Sequence, residues 1–197
     1  MIILNKDTFE KIWHNCDLFK NHKMDICNGS VGKVIIAPPA SGKSFFVKNQ
    51  FNRKLISNNL NINSDNKKRL FWFDMDYVFS QLNLNWQQNE DDNVQFKRTY
   101  ERADYLIVQC RRINFNLVGC LYYDYMPDAI VILPYNLHNK YLNFRSDLIS
   151  RQHIVDNVKK DLSKKKEKYN IPTFGSVIEA VNYIELNDNK IKTNDEK

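Results

Sequence analysis

Val34-Ile35-Ile36-Ala37-Pro38-Pro39-Ala40-Ser41-Gly42-Lys43-Ser44 is the stretch on which the reading of this chain turns. A β-branched run, Lys33–Ile36, predicts a buried strand, and Phe45–Gln50 continues a helix with an apolar side from about Lys43. Between them lies G-x-x-x-x-G-K-[S/T], met at every position except the first, where Ala37 stands for glycine. Gly42 lets the backbone curl so that successive N–H groups face an anion. The helix starting there adds the positive end of its dipole. Lys43 can reach β- and γ-phosphates, and the Ser44 hydroxyl can ligate Mg²⁺. Pro38 and Pro39 have no N–H, so the cradling donors must come from Ala40, Ser41, Gly42, Lys43, Ser44 and Phe45.

About thirty residues on, Arg69–Phe73 is a short apolar and aromatic run bounded by the polar stretch Asn58–Lys68, and it ends in Asp74-Met75-Asp76. A carboxylate at the C-terminal end of a strand is where open α/β sheets place ligand chemistry. Asp74 is the expected acid near Mg²⁺. Asp76, on the same side if the extended geometry persists, is placed to bind an acceptor hydroxyl or take its proton. Asp76 is also a favoured cap for the helix expected over Tyr77–Leu84. Asp124 ends another apolar run, Phe115–Tyr123, and is the alternative metal carboxylate.

This order of features resembles the small P-loop kinases, the group of shikimate, gluconate, nucleoside and nucleoside-monophosphate kinases. The likeness covers roughly residues 31–184. Val34–Gln50 and Pro127–Pro134 also make the chain similar to uncharacterised P-loop kinase-like proteins of large DNA viruses. The resemblance implies an α/β P-loop NTPase fold, three-layer α/β/α, with a mostly parallel sheet of about four to five strands and a helical lid. It implies ATP and Mg²⁺ as cofactors, with Asp74 near the metal and Asp76 on the acceptor. It also implies lid arginines on the transferring phosphoryl group, the place that Arg145 and Arg151 match. Catalytic roles thus fall to Lys43, Asp76, Arg145 and Arg151. The chain departs from the pattern at Ala37, in lacking a Gly-Gly-Gly turn after the third strand, and in showing no clear fifth strand after the lid. The acceptor-side arginines are not marked by a motif; Arg98, Arg102, Arg111 and Arg112 are candidates.

The rest reads coarsely. Asp7 to about Phe19 is helix-like, with Phe9, Ile12, Trp13 and Cys16 on one face. Trp86–Asn93 is a polar loop. Val94–Ile113 is helical, with Phe96, Tyr100, Ala103 and Ile107 recurring. Ala129–Leu133 is a second buried strand, ended by Pro134. Its short link from the strand before Asp124 conflicts with the dozen residues that a parallel crossover usually needs. Either the crossover is very compact or one strand is misassigned. Lid-like helices run from about 135 to 170, with His138 a structural or lid residue. Ile171–Phe174 is a turn or short extended piece. Ser176 can cap a last helix, Val177 to about Leu186. The tail 187–197 is expected to be disordered.

Composition agrees with a single domain over 1–186. The chain has 197 residues, 43% of them hydrophobic, enough for one sizeable core. No run approaches the ~18 apolar residues of a membrane span, and no signal peptide is legible. An intracellular, cytoplasmic protein is expected. Cys16, Cys27, Cys110 and Cys120 lack metal-site spacing, so reduced thiols are expected. The formal net charge of +6 suits a nucleotide handler as well as a nucleic-acid binder. Much of it lies in Lys159, Lys160, Lys164, Lys165, Lys166 and Lys168, read as a solvated helix face. The expected partners are a nucleoside triphosphate and a small-molecule acceptor, with nucleic acid less favoured. Rival functions are polynucleotide 5′-hydroxyl kinase activity and a non-catalytic nucleotide switch.

Overall fold

In a computed structural model of the chain, residues 7–8, 10–11, 31–50, 70–81, 92–120, 124–145 and 152–195 are described. The β-branched run forms β1, Val34–Ile36, and every one of its residues is buried. A strand buried on alternate residues would face water on one side. One buried at every position needs cover on both faces, as in a parallel sheet between helices.

The chain continues through α1 (Lys43–Asn49), β2 (Trp72–Asp74), α2 (Met75–Gln81), α3 (Asp92–Arg112), β3 (Asn116–Gly119) and β4 (Ala129–Val131). It ends with α4 (Tyr135–Asn143), α5 (Gln152–Tyr169), β5 (Thr173–Phe174) and α6 (Val177–Asp195). The strands form one sheet in the order β2-β3-β1-β4-β5, with every neighbouring pair parallel. This is an α/β architecture with a fully parallel sheet, and the burial of β1 to β4 at every residue agrees with three layers. Each fully buried aliphatic side chain adds about 1.5–3 kcal/mol relative to exposure, and Ile35, Ile36, Leu106, Ile107, Leu117 and Ile130 are all of that kind.

The strand order resolves the conflict over the short link. β3 and β4 do not pair with each other. They flank β1, with Val34 opposite Leu117 and Ile36 opposite both Gly119 and Ile130. The link therefore steps over one strand, and the crossover is the compact one. Its end is fixed at the start of β1. Asp128 donates its backbone N–H to the Val34 carbonyl at 2.9 Å, and its Oδ2 accepts the Val34 N–H at 2.8 Å. Gly32, just before β1, is required by space. A Cβ there would lie 2.5 Å from the Phe115 carbonyl oxygen and 2.7 Å from that of Cys110.

Three further expectations are corrected. A fifth strand exists: Thr173 and Phe174 pair with Ile130 and Val131 at the sheet edge. Its two half-buried residues are too few to carry an alternating pattern. The helix after β2 begins at Met75 and not at Tyr77, because Asp74 Oδ1 accepts the Asp76 N–H at 3.0 Å. Asp74 is therefore the cap, and Asp76 sits in the first turn. The last helix runs on through the expected tail to Asp195. Its start has the Ser176 cap, whose Oγ accepts the Glu179 N–H at 3.2 Å, while Glu179 reaches back to the Gly175 N–H at 3.0 Å. Beyond Leu186, Asp188 is held by Lys33 at 3.4 Å. The first helix expected over 7–19 is helical at 7–8 and 10–11, and the rest of it lies outside the described residues. Among the described residues, no helix is long and apolar enough to cross a membrane.

Candidate active site

The connection after β1 leads toward β2 and that after β4 leads toward β5, in opposite directions along the sheet. Such a divergence leaves a crevice at the C-terminal strand ends, and the loop 37–44 lies there. Ala37 continues the strand pairing, donating its N–H to the Gly119 carbonyl at 2.8 Å. It is fully buried, so the position expected to hold glycine takes a small side chain without exposing it. Two residues of the loop have left-handed backbones: Ala40 at φ 56 and Gly42 at φ 85. Alternation of that kind turns successive N–H groups toward one side, the concavity that binds anions. Glycine adopts it freely, whereas at Ala40 it costs of order 1 kcal/mol. The helix starts immediately, with the Phe46 N–H on the Gly42 carbonyl at 2.9 Å.

Lys43 is buried, and its ammonium folds back onto the loop. Nζ donates to the Pro38 carbonyl at 2.9 Å and to that of Ala37 at 3.2 Å. The Ser44 hydroxyl donates to Asp74 Oδ2 at 2.6 Å. β3 lies between β1 and β2, so this contact spans two strand spacings, roughly 9–10 Å. It is made because α1 carries Ser44 across and packs on β2. A glutamine that sequence reasoning left as an ordinary helix residue holds it there. Gln50 Nε2 donates to the Trp72 carbonyl at 2.8 Å, and Gln50 Oε1 accepts the Trp72 N–H at 2.9 Å. Gln50 thus supplies a side-chain amide in place of a strand partner on the free edge of β2.

Asp76 lies in the first turn of α2, just past the C-terminal end of β2, and is partly exposed. Partial loss of hydration pushes its carboxyl up from the usual range, with the Asp74 carboxylate adding to the effect and Lys43 and Arg145 opposing it. Arg145 lies two residues past the end of α4. Arg151 lies outside the described residues. Asp124 is exposed, and its N–H is bound by Asp104 Oδ2 of α3 at 2.7 Å. Asp74, not Asp124, is the carboxylate brought to Ser44. Cys120 follows Gly119 at the end of β3 and faces the same groups. Burial pushes its thiol up to about 11, with Lys43 opposing and Asp76 and Asp74 adding. Phe45, counted among the loop donors, has its side chain exposed; the donor role concerns only its backbone. Ala40 and Ser41 lie within the loop, and the Ser41 Oγ is buried without a hydrogen-bond partner.

Of the candidate arginines, Arg111 is used elsewhere. It binds Asp128 Oδ2 at 2.7 Å and lies over the Tyr125 ring at 4.9 Å. That is the edge where β1 begins, opposite the loop. His138 is fully buried, and its Nε2 lies 2.7 Å from the Pro39 carbonyl oxygen. It reaches the loop itself.

Among the described residues, no three or more His, Cys, Asp or Glu side chains converge on one point. A magnesium ion bound through one hydroxyl, one carboxylate, water and phosphate oxygens does not require such a cluster. The Ser44–Asp74 pair beside the loop's N–H concavity fits a magnesium–nucleotide in that manner. The chain matches no protein-family model, and no curated protein matches it significantly.

Proposed function

We propose that this protein binds magnesium–ATP and transfers the γ-phosphoryl group to a small acceptor, a nucleoside, nucleotide or related metabolite. The observation that carries this reading is the 2.6 Å contact between Ser44 and Asp74, beside a loop with left-handed residues at 40 and 42. These groups lie at the C-terminal ends of parallel strands, where the α/β sheet opens. The order β2-β3-β1-β4-β5 supports a P-loop kinase arrangement with the lid after β4.

The residues act as follows. The N–H groups from Ala40 to Phe45 and the start of α1 hold the phosphates. Lys43 leaves the Ala37 and Pro38 carbonyls for the β- and γ-phosphate oxygens, exchanging two neutral acceptors for charged ones. Ser44 and Asp74 would hold Mg²⁺, directly or through water; when bound, it would neutralise charge developing on the phosphates. Asp76 orients the acceptor hydroxyl and takes its proton as the acceptor oxygen bonds to the γ-phosphorus. The bond from that phosphorus to the ADP oxygen breaks as the new one forms. The raised pKa of Asp76 suits it to proton transfer. Arg145 stabilises the charge that spreads over the transferring oxygens.

The test is ADP release from magnesium–ATP against nucleosides, nucleoside monophosphates, sugar acids and a 5′-hydroxyl oligonucleotide, with Lys43→Met as blank. Release that depends on one acceptor and vanishes in the variant establishes the kinase and its substrate class. Release from the native protein no faster than from the variant, with every acceptor, overturns the reading.

A further inference from the structure

Three consecutive carbonyls of the loop are held by side chains. Lys43 Nζ takes those of Ala37 and Pro38, and the His138 imidazole takes that of Pro39, at 2.7 Å. Pro38 and Pro39 offer no N–H, so the backbone of these two residues can be hydrogen-bonded only through its carbonyl oxygens. When Lys43 turns to phosphate it must release two of the three. The Pro39–His138 bond is the one left unchanged.

His138 also faces the other way along its helix. His138 and Leu142 fall at i and i+4 on one side of α4, and Arg145 lies two residues past its end. His138 and Leu142 are buried. The Arg145 N–H closes on the Leu142 carbonyl at 2.8 Å, and the Arg145 charge is felt at Asp76. The imidazole therefore joins the loop to α4, the helix that precedes Arg145.

We infer that His138 is a positioning residue of the nucleotide site, a neutral imidazole whose Nε2–H pins the Pro39 carbonyl and thereby fixes the loop and Arg145 relative to each other. A carbonyl oxygen can only accept, so Nε2 carries a hydrogen. Nδ1 is buried and meets no hydrogen-bond partner. Protonation would place a second N–H there with no acceptor. The groups facing the ring are Lys43 of α1 and Lys159 and Asp156 of α5. Burial lowers the affinity of His138 for a proton below the ordinary value of 6.5, with the Pro39 bond opposing, Lys159 and Lys43 adding to the lowering and Asp156 opposing.

The assignment of a nucleotide role rests on the function proposed above, so the test has one arm that needs no nucleotide. His138→Leu fills the space without a donor, and His138→Gln can place an amide N–H near the position of Nε2. Hydrogen exchange of the loop amides in the ligand-free protein is measured first, then the affinity for a fluorescent ATP analogue with Mg²⁺. Losing one buried hydrogen bond predicts roughly tenfold faster loop exchange and roughly tenfold weaker binding in His138→Leu. His138→Gln is expected to stay within about threefold of the native protein on both. Equal loop exchange in all three proteins overturns the inference, as does a glutamine variant as impaired as the leucine one. A native protein that binds no nucleotide refutes the proposed function, and the exchange arm then still decides the clamp. In the native protein at pH 8, the ¹⁵N shifts of His138 are expected to show one neutral Nε2–H tautomer; an Nδ1–H tautomer overturns the inference.

Discussion

Gln50→Leu removes the amide that stands in for a strand partner at β2. Leucine has a similar volume, so the perturbation is mainly the loss of hydrogen bonds. Gln50 bonds the Trp72 N–H, the Trp72 carbonyl and the Val47 carbonyl, and Trp72 is fully buried. Two backbone groups of a buried residue would lose their partner, at about 1–3 kcal/mol each. Apolar burial of the leucine and partial hydration at the sheet edge offset some of this. A net loss of about 3 kcal/mol is expected. For a chain of this size that lowers Tm by roughly 6–12 °C. Urea denaturation followed by tryptophan fluorescence gives the free energy, and calorimetry gives Tm. β2 also carries Asp74, so the variant should bind magnesium–nucleotide more weakly while still folded. A loss below about 0.5 kcal/mol, within the range of an ordinary surface change, would refute the idea that Gln50 secures β2.

Asp76→Asn should raise Tm at neutral pH and abolish acceptor-dependent turnover. The native carboxyl is raised above 3.8, so its contribution to stability is complete below 3.8 and is lost as pH rises through the folded value. The gain in the variant should therefore fade in Tm measurements taken toward pH 3.5, and a gain that persists there would contradict the assignment. Asp74→Asn should weaken Mg²⁺-dependent nucleotide binding at least tenfold, whereas Asp124→Asn should change it less than twofold; isothermal titration of the two variants decides between them. Cys120, with its thiol pushed up to about 11, should carry thiolate in only about one molecule in a thousand at pH 8. Peptide mapping after brief iodoacetamide treatment should find it largely unmodified, and bound nucleotide should not speed its reaction.

The placement of β1, the loop and α1 was legible in the residues because its causes are local. An aliphatic run forms a strand, Gly42 accepts the left-handed backbone at φ 85, and Lys43 and Ser44 follow within one helical turn. The run Trp72–Asp74 was legible for the same reason, although its helix starts earlier because Asp74 caps it. Ala40 was harder to see. Its positive φ is imposed by the loop and not by a residue preference.

Other features depend on strand order, which no short stretch of sequence encodes. With β3 between β1 and β2, Ser44 meets Asp74 thirty positions on, and Gln50 meets Trp72 twenty-two positions on. The same order sends Asp128 to the start of β1, where it occupies Arg111, at the end of the sheet away from the loop 37–44. It also explains the short link after β3, since the two strands it joins share β1 as a neighbour. His138 and Pro39 are separated by 99 residues, and only the packing of α4 over the loop brings them together. The amino-acid sequence by itself determined the local strand–loop–helix pattern and the α/β character, through backbone preference and burial. The tertiary structure decided which carboxylate, amide and imidazole reach that loop, because those contacts depend on the order of strands and the helices carried across them.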